Sequence, residues 1–96
     1  MPHVTFAPGA LRDLERLREF LRPKDPAAAK RAAFAIIVGV MTLEQHPEMG
    51  RPAEEMGAEY RELLIDFGDS GYIALYRYDG ETAVILAVRH QREAGY

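Results

Sequence analysis

Arg61, Arg89, His90, Arg92 and Tyr96 are the side chains in this sequence whose types suit phosphodiester chemistry. Cleavage of RNA by its own 2′-hydroxyl needs a base, an acid for the leaving oxygen, and cations on the phosphate as charge develops. His90, Arg92 and Tyr96 can in principle supply base, cation and acid, with Arg61 as a further cation. Tyr96 is the last residue of the sequence, however, and a terminal phenol is hard to hold in productive geometry without further chain to pack it. Glu62 offers a second base, but Arg61, Leu63 and Ile65 alternate around it as in an ordinary half-buried strand, so it is expected to face solvent or pair with a cation. No catalytic set is complete, and none is assigned.

The elements that must position these residues follow from periodicity. Three apolar runs, Tyr60 to Phe67, Tyr72 to Tyr78 and Ala83 to Arg89, predict strands. Gly68-Asp69-Ser70-Gly71 joins the first pair, and Asp79-Gly80 is expected to form a two-residue turn with positive φ at both central residues. Upstream, His3 to Phe6 predicts a short edge or lead-in strand, broken by Pro8 and Gly9. Leu11, Leu14, Leu17 and Leu21, with Phe20 beside them, keep helical spacing from Ala10 to Arg22. The polar face of that helix includes pairs such as Asp13 with Arg16 and Glu15 with Arg18, which are expected to be solvated charges one turn apart.

Asp25 is a good N-cap and Pro26 suits the first position of a second helix, predicted to run to about Gln45. That helix is apolar nearly all round between Ala32 and Met41, so more than one face must be covered. Gly39 inside it predicts close packing against a neighbour. A loop from His46 to about Glu59 leads into the strands. The tyrosines at 60, 72, 76 and 78 are expected at the core edge with a wet hydroxyl. Arg77 and Arg89 are expected to lay aliphatic stems along the sheet.

Composition narrows the function classes. At 96 residues the sequence predicts one domain, 1–96, with a single two-layer core. It has no cysteine, which excludes a disulfide, a thiolate metal site and a cysteine nucleophile and suits a reducing compartment. His3, His46 and His90 lack ligand spacing, so neither a metal nor another cofactor is expected. The N-terminus has no secretion pattern, and the Ala32 to Met41 run is shorter than the roughly 20 residues that span a bilayer, so no membrane partner is expected. A net charge of −3 argues against affinity resting on general attraction to phosphates.

The order of motifs carries a resemblance. An initial strand, a helix containing Ala10-Leu11-Arg12-Asp13-Leu14, an alanine-rich second helix, a Pro-x-x-Gly-Arg loop, a Tyr-Arg-Glu-Leu strand, a Tyr-Arg hairpin strand and a Val-x-His strand end resemble the small toxins of the ParE/RelE superfamily. The resemblance covers almost the whole chain. His46-Pro47-Glu48-Met49-Gly50-Arg51 and Arg89-His90-Gln91-Arg92-Glu93 are most similar to the ParE branch. It implies an α+β fold, with an N-terminal short strand and a helical hairpin packed on a C-terminal antiparallel sheet.

The RelE-like ribonucleases carry basic residues on the sheet, and Arg61 stands where one is expected. Leu63 and Ile73 are apolar where that pattern calls for cations. The resemblance therefore implies a ParE-like toxin in the cytoplasm that binds DNA gyrase, stops replication without catalytic residues, and is neutralised by a cognate ParD-like antitoxin. DNA would be engaged only indirectly, through gyrase or the antitoxin. The toxic surface is expected at Arg61, Arg89, His90, Arg92 and Tyr96, with Met49 to Arg51 as weaker candidates. An antitoxin segment is expected in a groove between the helical hairpin and the sheet, lined by Leu17, Phe20, Leu21, Met41 and Tyr76. The alternatives are a RelE-type ribosome-dependent endoribonuclease and a toxin-like domain that has lost toxicity.

Overall fold

The computed structural model describes residues 2–93. In chain order it contains β1 (His3–Phe6), α1 (Pro8–Leu21), α2 (Pro26–Met41), a 3-10 turn (Thr42–Glu44), β2 (Arg51–Pro52), β3 (Tyr60–Phe67), β4 (Ser70–Tyr78) and β5 (Thr82–His90). One open sheet has the order β1-β5-β4-β3-β2. The three long strands form the expected antiparallel meander, while β1 runs parallel to β5 and closes that edge. The fold is the expected α+β arrangement.

Helix boundaries follow their caps. Pro8 does not merely break β1; it occupies the first turn of α1, where its missing N–H costs nothing. The Asp25 carboxylate accepts the Ala28 N–H at 3.1 Å and starts α2 as its sequence predicts. With its 3-10 turn, α2 is 19 residues long and apolar enough to cross a membrane by length and hydropathy, which the Ala32 to Met41 run understates. One stripe of it packs into the protein: Ala29, Ala32, Ile36, Val40 and Leu43 are buried in the core cluster or beside it. At Gly39 a Cβ would meet Ile65 at 3.0 Å, so the glycine lets α2 lie close on β3.

The core lies between the hairpin and one sheet face, where Leu63, Ile65, Tyr72, Ala74, Tyr76, Ala83, Ile85 and Val88 meet Ala10, Leu17 and the inner stripe of α2. Strand alternation alone would not place Ile85 and Val88 on the same face. A bulge does: Tyr76 pairs with Ile85 and Leu75 with Ala87, so Leu86 is the extra residue. On the opposite face, Glu62 pairs with Leu75 and Leu64 with Ile73, which itself opposes Arg89.

Both hairpin turns differ from expectation. The tight two-residue turn is Gly68-Asp69, between the paired Phe67 and Ser70, with positive φ at Gly68 alone, as in a type II′ turn. At the second hairpin only Gly80 has positive φ, because the Asp79 carboxylate accepts the N–H groups of Glu81 and Thr82 and builds a wider turn of its own.

Candidate functional site

Tyr76 and Arg61 are fasteners of the loop that precedes the sheet. Tyr76 is fully buried, so its hydroxyl is not wet; it donates to the Pro47 carbonyl at 2.7 Å and accepts the Gly50 N–H at 3.1 Å. Burial raises its pKa, outweighing the Gly50 hydrogen bond and the nearby Arg61 charge. Arg61 donates to the carbonyls of Glu48 and Gly50 at 3.2 and 2.8 Å. Gly50 is required here because a Cβ would stand 2.7 Å from the Tyr76 ring and hydroxyl. Together these contacts give the Pro-x-x-Gly-Arg motif a structural purpose: they seat the loop and set Arg51 at the start of β2. Tyr76→Phe would leave the Gly50 N–H buried without its acceptor and should cost about 1–3 kcal/mol in chemical denaturation.

Arg89, His90 and Arg92 come together at the far end of β5. The His90 ring lies edge-on to Tyr72, with centroids 5.4 Å apart. Its Nδ1 accepts the Arg92 backbone N–H at 3.1 Å, which leaves Nε2 as the donor to Ser70 Oγ at 3.0 Å. Burial, and secondarily the Glu93 charge, raise the Tyr72 pKa.

The turn after β5 is fastened through Glu93, whose carboxylate accepts the His90 N–H at 2.8 Å and pairs with Arg16 at 2.9 Å. Partial burial pushes the Glu93 carboxyl upward, but the His90 and Arg16 contacts outweigh it and hold its pKa below the ordinary value. Arg89 donates to the Glu93 carbonyl at 2.7 Å. Asp13 and Arg16 are thus more than solvated helix charges, since the Asp13 carboxylate also accepts the Val88 N–H at 2.9 Å.

Arg61 stands apart from this end. It opposes Tyr76 on β4 whereas His90 opposes Tyr72, four residues along the strand. At ~3.3 Å per residue that is roughly 13 Å. Tyr96 lies outside the described residues. Arg89 also reaches a cavity of about 420 Å³ on the sheet face turned away from the helices, lined as well by Arg51, Pro52, Ala53, Met56 and Glu62. There Arg51 Nε meets the Glu62 carboxylate at 3.2 Å, so Glu62 pairs with a cation, one of its two expected fates. Pairing of Glu62 with Arg51 is not legible in the strand pattern, because β2 is only two residues long.

The residues expected to line a groove are divided. Leu17 and Tyr76 are core residues, with 7% and 0% exposure, because both point between the helices and the sheet. Leu21 is half-buried, Phe20 is exposed with Lys24 Nζ 4.2 Å above its ring, and Met41 is 37% exposed. Met41 belongs to an exposed stripe on the outer side of α2 with Phe34, Ile37 and Val38, spaced by three, one and three residues. That stripe is the part of the apolar α2 surface left uncovered.

Known proteins share this architecture and sequence. The family described as the ParE toxin of the type II toxin-antitoxin system parDE matches residues 4–95. Toxin RelE3 of Caulobacter vibrioides is 38% identical over 93 residues, covering 97% of this chain and 98% of its own length. Toxin RelE1 of the same organism is 33% identical over 84 residues, covering 88% and 87%. A solved structure of the chromosomal ParDE system from P. aeruginosa superposes with a TM-score of 0.78 at 24% identity, covering 94% of this chain and 96% of that one, and shares the fold. The RelBE2 toxin-antitoxin complex from Mycobacterium tuberculosis gives 0.66 at 28% identity, with 95% and 100% covered. A family match along nearly the whole length, joined by two toxins above 30% identity, places this chain in the ParE toxin family, within the ParE/RelE superfamily of type II toxin-antitoxin toxins.

Proposed function

We propose that this toxin arrests growth by binding DNA gyrase in the cytoplasm, and that a cognate antitoxin neutralises it. The toxic surface in this proposal is the β5 end with Arg89, His90 and Arg92, extended by Tyr96; Arg61 supports it indirectly by holding the loop that carries Arg51. One observation carries the preference for protein binding over RNA cleavage. Arg61 is committed to two backbone carbonyls and stands roughly 13 Å from the His90 register, so it does not share a phosphate with His90, and both His90 ring nitrogens are already engaged, by the Arg92 N–H and by Ser70 Oγ. Leu63 and Ile73, both buried, add no charge between them.

A second reading, RelE-type endoribonuclease, draws on the cavity with Glu62 between Arg51 and Arg89 and on the RelE names of the two relatives. There a carboxylate would take the 2′-hydroxyl proton and the arginines would meet the phosphate. Purified toxin should inhibit gyrase supercoiling and leave messenger RNA intact on translating ribosomes. His90→Ala with Arg92→Ala should weaken that inhibition by about tenfold or more, the scale of one or two charge-assisted contacts. Translation-coupled RNA cleavage that disappears in Glu62→Gln, with supercoiling untouched, would establish the second reading instead.

A further inference from the structure

We propose that Asp13 and Arg16 on α1 are positioning residues that set the geometry of the Arg89-His90-Arg92 end of β5. The proposal rests on the assignment of that end as the toxic surface. It starts from where strand pairing stops: β1 covers β5 only as far as the Phe6–Ile85 pair, and the next residue, Leu86, is the bulge. Beyond the bulge no strand among the described residues lies beside the outer edge of β5, and unpaired peptide groups at an edge must be satisfied some other way.

The chain leaves β1 directly into α1, which crosses this edge. Asp13 and Arg16, one helical turn apart, meet the two peptide groups of one residue: Asp13 accepts the Val88 N–H at 2.9 Å, and Arg16 reaches the Val88 carbonyl at 3.4 Å. Arg16 then pairs with the Glu93 carboxylate at 2.9 Å, and Glu93 in turn holds the His90 N–H and, through its carbonyl, the Arg89 guanidinium. Two helix side chains thereby fix, directly or through Glu93, where Val88, Arg89, His90 and Glu93 can sit. Arg16 and Glu93 are each more than a third exposed, so their pair contributes little to global stability; its effect is on local geometry.

The test compares Asp13→Ala and Arg16→Ala with the conservative Asp13→Asn and Arg16→Lys in the full chain. Asn keeps an acceptor for Val88 and Lys keeps a charge for Glu93. The two alanine variants should speed amide exchange at Val88 and His90 by roughly three- to tenfold, as expected for loss of one partly exposed hydrogen bond. They should also raise the toxin level needed for growth arrest by about fivefold or more, with melting temperature and antitoxin affinity little changed. The conservative variants should retain both properties. Unchanged exchange in the alanine variants, or faster exchange with undiminished arrest, would overturn the positioning role. His90→Ala and Arg92→Ala run in parallel: if both arrest growth fully, the strand end is not the toxic surface, and that failure is distinguishable because exchange in the α1 variants would still report the clasp.

Discussion

Replacing Gly71 by alanine should cost about 3 kcal/mol, the upper end for forcing an extra methyl into a packed site. For a domain of this size that is a fall in melting temperature of roughly 12–24 °C. Gly71 pairs with Asp66 at the start of β4, and a Cβ there would overlap the Ile65 carbonyl oxygen and stand 3.0 Å from the Ile65 carbonyl carbon. The obstacle is backbone on the neighbouring strand, which no rotamer change can relieve. Gly71 also accepts the Gln91 N–H through its carbonyl at 2.9 Å, so movement away from β3 would disturb the turn that holds the strand end. Gly68→Ala is the control: a Cβ there has nothing within 4 Å, and only the positive φ of 63° opposes it. That conformation costs a side chain about 1–2 kcal/mol, less than the clash. Thermal melts of the two variants should separate in that order; equal losses would mean that the hairpin yields at Gly71.

The long strands and both helices are legible because their signals are local. Tyr60–Phe67 and Ser70–Tyr78 are apolar runs of strand length, and Asp25-Pro26 marks a helix start whatever surrounds it. What could not be read depends on contacts distant in sequence. Two residues, Arg51 and Pro52, carry no periodicity, and they become a strand only through pairing with Arg61 and Glu62. The bulge at Leu86 is equally silent, since Ala83 to Val88 reads as an unbroken apolar run. Asp79-Gly80 misleads for a different reason: its dipeptide suits a tight turn, but the aspartate can also cap the backbone itself, and that choice wins here.

The candidate site divides along the same line. Arg89, His90 and Arg92 are neighbours in sequence, and the structure keeps them together. Arg61 resembled a free cation only because its two carbonyl partners lie 13 and 11 residues away. Tyr76 shows the limit most sharply, because a tyrosine in a strand signals an apolar body with a polar tip but not where the tip finds its partners. Both partners are in the Pro47–Gly50 loop, so the phenol turns inward and cannot line a groove. The roles of Asp13 and Arg16 were hidden by a sufficient local explanation: a pair spaced by three on a helix already looks satisfied.

Val38→Asp should weaken antitoxin binding by about 3 kcal/mol or more, roughly 150-fold, while leaving growth arrest by the toxin alone intact. Phe34, Ile37, Val38 and Met41 form one apolar stripe on the outer face of α2, with exposures of 70%, 39%, 48% and 37%. The opposite stripe of the same helix already fills the core, so the outer one is not needed to fold the chain. Solvated apolar side chains at this spacing match the anchors of a helix-sized partner surface. The stripe continues toward the N-terminus into exposed Lys30 and Arg31, and α2 carries no acidic residue, so a partner segment with acids at that end would be complementary. The physical consequence of the substitution is asymmetric. In the free toxin an aspartate at 38 remains hydrated and changes stability little, whereas in the complex it must lose water among apolar neighbours with no cation on α2 within a turn. Phe34→Ala, which removes the most exposed ring without adding charge, should cost about 2 kcal/mol, or roughly 30-fold. Titration of the antitoxin against each variant measures the affinity, and co-expression measures the rescue. If both variants bind and are neutralised as the parent toxin is, the antitoxin does not use this face, and the remaining route for it is the hairpin edge near Phe20 and Leu21, which Phe20→Asp would then block.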